Sequence, residues 1–146
     1  MVQDSLSWIE GSLSYYQPEN FVNKELCSVY YAPLNFKVVM LATGQLTSDS
    51  LPSNKDYSDC LLGLEFPARD SKGRRIMGMI SGSGLATTVA ADTDLTWEVP
   101  DNWSLEEAAT VPVVYATSYY ALFIRGHLQP GESVFIQPFS KTSPAL

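Results

Sequence analysis

A chain of 146 residues with 45% hydrophobic and 17% charged side chains is long enough for one real core and too apolar to be disordered. Its formal net charge of −7, with Lys and Arg scattered, argues against a nucleic-acid or anionic-membrane surface. No apolar run approaches the roughly 20 residues that span a bilayer, and Met1 to Leu6 lack the basic start and apolar stretch of a secretory signal.

Residues 1–100 have the texture of a β-rich domain with irregular loops, rich in Tyr, Val, Thr, Gly and Pro. Strands are predicted over Leu26–Tyr31, Leu61–Phe66, Arg75–Ile80 and Ala86–Ala91. Between the first two, Phe36–Ala42 reads as a short helix ended by Gly44, and the Pro52–Asp59 stretch as a polar loop. Asp70-Ser71-Lys72-Gly73 reads as a hairpin turn. Cys27 and Cys60 are far apart with no metal-ligand spacing, so reduced thiols in a cytosolic protein are expected, with a disulfide left open.

At Pro100 the texture changes. Ser104-Leu105-Glu106-Glu107 fits a capping box, opening a short helix that Pro112 interrupts. Val113–Ile124 resumes as an apolar, aromatic-rich helix, expected to be largely buried. A turn at Gln129-Pro130-Gly131-Glu132 leads into a last apolar strand within residues 131–137. The order makes an α+β unit with one strand of something else attached. In a dinucleotide-binding unit such a strand runs into a glycine-rich turn and a helix that holds the pyrophosphate. Pro138 and Phe139 follow instead, so the cofactor-binding half is expected to be missing and residues 138–146 to be an unrelated, disordered tail.

Several features invite a functional reading. Gly82-Ser83-Gly84 is better read as a turn or bulge than a phosphate loop, because Thr87-Thr88-Val89 favours a strand where a helix would be needed. His127, the only histidine, rules out a two-imidazole site and suits a helix C-terminus. Asn102-Trp103-Ser104 matches a glycosylation acceptor, but Ser104 is more simply a helix cap. Glu65 is a carboxylate in an apolar strand and needs a partner; an arginine such as Arg69 or Arg75 is the structural choice, a pocket the functional one. Thr117, on the face of the main helix, has a hydroxyl that a cofactor amide or a carbonyl one turn back could satisfy.

Val29–Leu46 (VYYAPLNFKVVMLATGQL), Leu61–Phe66 (LLGLEF), Gly84–Val89 (GLATTV) and Val99–Ile136 together resemble the enoyl reductase region of animal type I fatty acid synthase. That region is a zinc-free member of the medium-chain dehydrogenase/reductase superfamily, and the resemblance runs to about Gln137. It implies a GroES-like, partly barrelled β domain over residues 1–100. Residues 101–137 would be the helical connection and the first strand of an absent Rossmann domain. It also implies a parent that uses NADPH to reduce a trans-2-enoyl chain on acyl carrier protein, within a homodimeric cytoplasmic synthase.

Zinc-dependent relatives carry Cys near Asn35 and a His-Glu pair near Gly63; Asn35 and Leu64-Glu65 stand here, so no zinc is expected. Asn35 and Thr117 resemble residues that face the nicotinamide, and Tyr31 lies near the same substrate cleft. The family's catalytic lysine and aspartate belong to the nucleotide-binding domain, so no catalytic residue is assigned. Two departures are Val38, where the family usually has Asp, and Pro67, expected at an edge or bulge because it lacks a ladder donor. The chain is therefore read as a reductase fragment, inactive alone. The alternative is a non-catalytic, divergent or truncated product that binds a synthase or acyl chains.

Overall fold

The computed structural model describes residues 6–8, 10, 23–46 and 62–137. Cys60, the Pro52–Asp59 loop and the 138–146 tail lie outside them. Five strands form one antiparallel sheet: β1 Lys24–Val29, β2 Glu65–Arg69, β3 Arg75–Met79, β4 Thr88–Asp92 and β5 Thr96–Glu98, in the spatial order β4-β1-β2-β3-β5. Helix α1 spans Phe36–Ala42, α2 Leu105–Ala109 and α3 Pro112–Tyr119, and α3 runs on into a π-helical segment, Tyr120–Arg125. The architecture is the expected α+β, GroES-like one, with the described strands forming an open sheet. No helix among the described residues is long and apolar enough to cross a membrane.

Alternation at the strand period of two sends Cys27, Phe66, Ala68, Ile76, Val89 and Ala91 into one cluster. Burying Phe66 completely is worth about 2–3 kcal/mol. The opposite face of β2 is covered as well, since α2 packs on β2 and β3, and Glu65 and Pro67 are as buried as Phe66 and Ala68. Cys27 sits in the cluster as a thiol, pushed up to about 11 by burial and by the nearby Glu25 and Asp70 carboxylates. It stays protonated at neutral pH.

Strand β2 begins at Glu65, not at Leu61 as predicted. Gly63 takes φ +90 and lies so close to the following chain that a Cβ there would stand 2.1 Å from the Leu85 backbone nitrogen. Residues 62 and 63 are bound by the segment before β4 instead: Gly84 N–H donates to Gly63 O and Leu85 N–H to Leu62 O. Gly82-Ser83-Gly84 is thus a turn that leads to a strand, with Ser83 at φ 63.

Pro67 corrects a second expectation, for it sits in a central strand. It faces Met77 across β3. Ile80 N–H donates to Leu64 O, so the ladder bonds toward β3 fall on even-numbered β2 residues and position 67 points toward β1. There its carbonyl accepts from Tyr30 N–H, just beyond the last β1 residue, so the missing donor weakens only the frayed end of that ladder.

The helices begin and end where local chemistry dictates. Asn35 Oδ1 accepts from Val38 N–H and caps α1; Gly44, at φ 68, follows its end. The capping box of α2 is complete, Ser104 Oγ accepting from Glu107 N–H and Glu107 Oε2 from Ser104 N–H. Expectations fail further along. The stretch predicted to be a buried helix is exposed, Tyr115 at 67% and Tyr119 at 60%, because the sheet meets only its first turn and one side. Residues 132–137 form no strand, Phe135 being 86% exposed, and they pair with no strand of the described sheet. His127 falls just past the helical segment with φ 51.

Candidate functional site

Where β2 begins, three elements meet. Glu65 is buried, at 2% exposure, yet pairs with neither predicted arginine. Arg69 donates to Gly73 O, and Arg75 to Trp103 O and Pro100 O. The Glu65 partner is the start of α3: Oε2 accepts from Val113 N–H at 2.8 Å. Burial pushes the Glu65 carboxyl above the usual carboxylate range, and the Val113 N–H and the Asn35 amide only partly pull it back.

Asn35 is oriented by its capping role. Its Oδ1 must face the Val38 N–H at 3.1 Å, which leaves Nδ2 on the other side of the amide. That nitrogen is buried and has no hydrogen-bond partner among the described residues. It acts on Glu65 through proximity without reaching hydrogen-bond geometry. Val38, where an Asp is usual in the resembled family, is itself buried and serves the site only through its backbone.

Beside this cluster opens an apolar cleft of about 370 Å³, lined by Met79, Val113, Ala116, Thr117 and Tyr120. The volume suits a single ring or a short chain. Thr117 is exposed to it and its hydroxyl bonds to no described residue. Glu65 joins the two halves, for it bonds Val113 on one side and faces Met79 in the β2–β3 ladder on the other. Thr117 therefore lines the cleft, and Asn35 adjoins it through Glu65. Tyr31 does not line it: its hydroxyl donates to Glu106 Oε1 at 2.8 Å, and that bond and the carboxylate charge raise its pKa.

Of the lining residues, Val113, Ala116, Thr117 and Tyr120 recur at i, i+3, i+4 and i+7, a signal legible in the sequence, although apart from Thr117 it reads there as core. Met79 had no such signal, because only the strand register brings it under the helix. Among the described residues no three His, Cys, Asp or Glu side chains gather as metal ligands.

No family model matches the chain. A highly reducing polyketide synthase of Penicillium soppii is 34% identical over 141 residues, 94% of this chain but 5% of the synthase. Quinone oxidoreductase-like protein 2 of Bos taurus is 32% identical over 75% of this chain and 32% of its own length. The quinone oxidoreductase of Thermus thermophilus, solved with NADPH, superposes with a TM-score of 0.60 at 29% identity, over 76% of this chain and 35% of that one. The CurK enoyl reductase superposes with a TM-score of 0.62 at 24% identity, over 75% and 37%, and so speaks to fold alone. The chain spans about a third or less of the length of these relatives. The similarities support the medium-chain dehydrogenase/reductase superfamily and do not single out animal fatty acid synthase.

Proposed function

We propose that this chain, as a piece of the medium-chain dehydrogenase/reductase fold, forms the substrate-side wall of an NADPH-dependent enoyl reductase site in a synthase that builds acyl chains on a carrier protein. Fatty acid synthase, which the motifs resemble, is of this kind, and a highly reducing polyketide synthase is among the relatives. The reading places the enzyme in the cytoplasm, with an enoyl thioester on acyl carrier protein as substrate and the rest of a dimeric synthase as partner.

The observation that carries the reading is an apolar cleft lined by Thr117, whose hydroxyl is uncommitted, with the buried and unpartnered Asn35 Nδ2 adjoining it through Glu65. A nicotinamide ring, flat and apolar with one carboxamide, fits that combination. When bound, NADPH would supply the hydride. Asn35 Nδ2 would donate to a carbonyl, Thr117 would donate or accept, and Met79, Val113 and Ala116 would keep water from the ring face. No zinc enters the reading. Glu65 is committed to Val113 and the described cleft lining holds no carboxyl group, so the 146-residue chain is not expected to turn over an enoyl thioester unaided.

The test is titration of the ¹⁵N-labelled chain with NADPH. NADPH is offered at millimolar concentration because the pyrophosphate cradle is expected to lie outside this chain. Weak shifts at Thr117 and at the Asn35 side-chain amide are expected, and their absence would remove the nicotinamide contact assigned to these two residues. A second reading rests on Val114, Tyr115, Tyr119, Phe135 and Ile136, all large, apolar and exposed. In it the chain is a non-catalytic, divergent product that binds a synthase or acyl chains. Retention of the chain by an immobilised synthase, with no NADPH-induced shift, would favour it.

A further inference from the structure

Helix α3 starts without a cap of its own. Val111, at its N-cap, has helical backbone angles and no side-chain hydrogen bond to the first turn, and Pro112 in the next position has no N–H to offer. The first orphan donor is therefore Val113 N–H, and Glu65 Oε2 takes it at 2.8 Å from 48 residues away. The other two α-helices are capped locally, α1 by Asn35 and α2 by Ser104. Among the described helices, only α3 takes its cap from the sheet.

We infer that Glu65 is a positioning residue for the cleft, a remote cap that sets helix α3 against the β2–β3 pair. The inference rests on the reductase reading for its purpose but not for its geometry. Four of the five cleft-lining residues, Val113, Ala116, Thr117 and Tyr120, lie on α3 and its continuation, and the fifth, Met79, lies across the ladder from Glu65. One carboxylate thus fixes both walls. Thr117 is four residues beyond Val113, on the same side of the helix, so a shift at the capped turn is carried to its hydroxyl.

A carboxylate suits this task better than an amide. It only accepts, so both oxygens can face donors, and its charge complements the partial positive charge of the helix start. A charge-assisted bond is also roughly twice as strong as a neutral one. Asn35 contributes from α1, where its own capping bond holds the amide beside Glu65. The groups that act on Glu65 are Asn35 and Val113, and neither titrates, so a pH-dependent change at the Val113 amide reports Glu65 itself.

The experiment uses the ¹⁵N-labelled full chain as wild type, Glu65→Gln and Glu65→Ala. In the wild type the Val113 amide should exchange slowly and its shift should follow an acid titration. In Glu65→Gln that titration should vanish, Val113 exchange should quicken about tenfold, and the Thr117 amide should move, while the β1–β4 amides stay as they were. That separates placement from general destabilisation, which would quicken all amides together. Glu65→Ala should repeat the change more strongly; if it fails to fold, Glu65→Gln decides alone. Unchanged Val113 exchange and an unmoved Thr117 in Glu65→Gln would overturn the inference. Adding NADPH to the wild type tests the reductase reading separately, because its failure to shift Thr117 leaves the Val113 result standing.

Discussion

Glu65 opens strand β2 and Asp70 follows its last residue, so one short strand joins two buried carboxylates with opposite chemistry. Asp70 is satisfied within its own turn: Oδ1 accepts from Lys72 N–H and Arg74 N–H, and Oδ2 pairs with Arg74 Nε at 2.6 Å. Burial pushes its pKa up, but the Arg74 bonds and charge, with the Lys72 bond, outweigh that and hold it below the usual range. Glu65 has no cation among the described residues and reaches across 48 residues to a helix start, so burial dominates and its pKa is raised. The hairpin end is a self-contained turn. The cleft end is a junction, and its carboxylate remains costly to ionise in exchange for holding three elements together.

Glycine substitutions should break this comparison most sharply. Gly63→Ala, at the cleft end, would combine φ +90 with a Cβ against backbone that has no room to move. It should cost about 4 kcal/mol or more and leave little folded protein by circular dichroism. Gly73→Ala, at the hairpin end, has φ +79 but open space around it. It should cost only about 1–2 kcal/mol in a urea melt. Equal costs would mean that the two ends are not built differently.

The carboxylates themselves come next. Asp70, with a lowered pKa, contributes stability that is present above its unfolded-state value and lost as pH falls through the folded one. Asp70→Asn should be less stable than wild type at pH 7, with the gap closing below about pH 4. Glu65, with a raised pKa, behaves in reverse: its contribution is present below the unfolded-state value and lost as pH rises through the folded one. Glu65→Gln should therefore gain on wild type as pH climbs above about 4.3. Urea midpoints measured from pH 3 to 8 should tilt in opposite directions for the two variants, and parallel tilts would defeat the contrast.

The smallest effect on stability is expected for Asn35→Ser. Serine keeps an oxygen for the α1 cap, so unfolding should change by only a few tenths of a kcal/mol. The donor beside Glu65 is lost, however, so NADPH affinity by titration should fall about tenfold. An unchanged affinity would take Asn35 out of the site.

Part of this was open to reading from the chain alone. The Ser104–Glu107 box, the Gly44 stop and the Asp70–Gly73 turn each place donor and acceptor within about one turn of chain. Residue identity at short spacing is then enough. The spacing of Val113, Ala116, Thr117 and Tyr120 likewise marked one face, although it could not say what that face meets.

The amino-acid sequence thus determined most of the local elements, their order and the α+β class, but not strand β5. Tertiary structure alone decided that Glu65 serves α3 rather than an arginine, that Pro67 sits centrally where the β1 ladder has already frayed, and that Met79 lies under the cleft. It also decided that α3 is exposed and that residues 132–137 stay unpaired. The physical reason is one of range. A hydrogen bond within a turn follows from neighbouring residues, whereas a buried carboxylate or an apolar helix face takes whichever partner the packed chain brings to it.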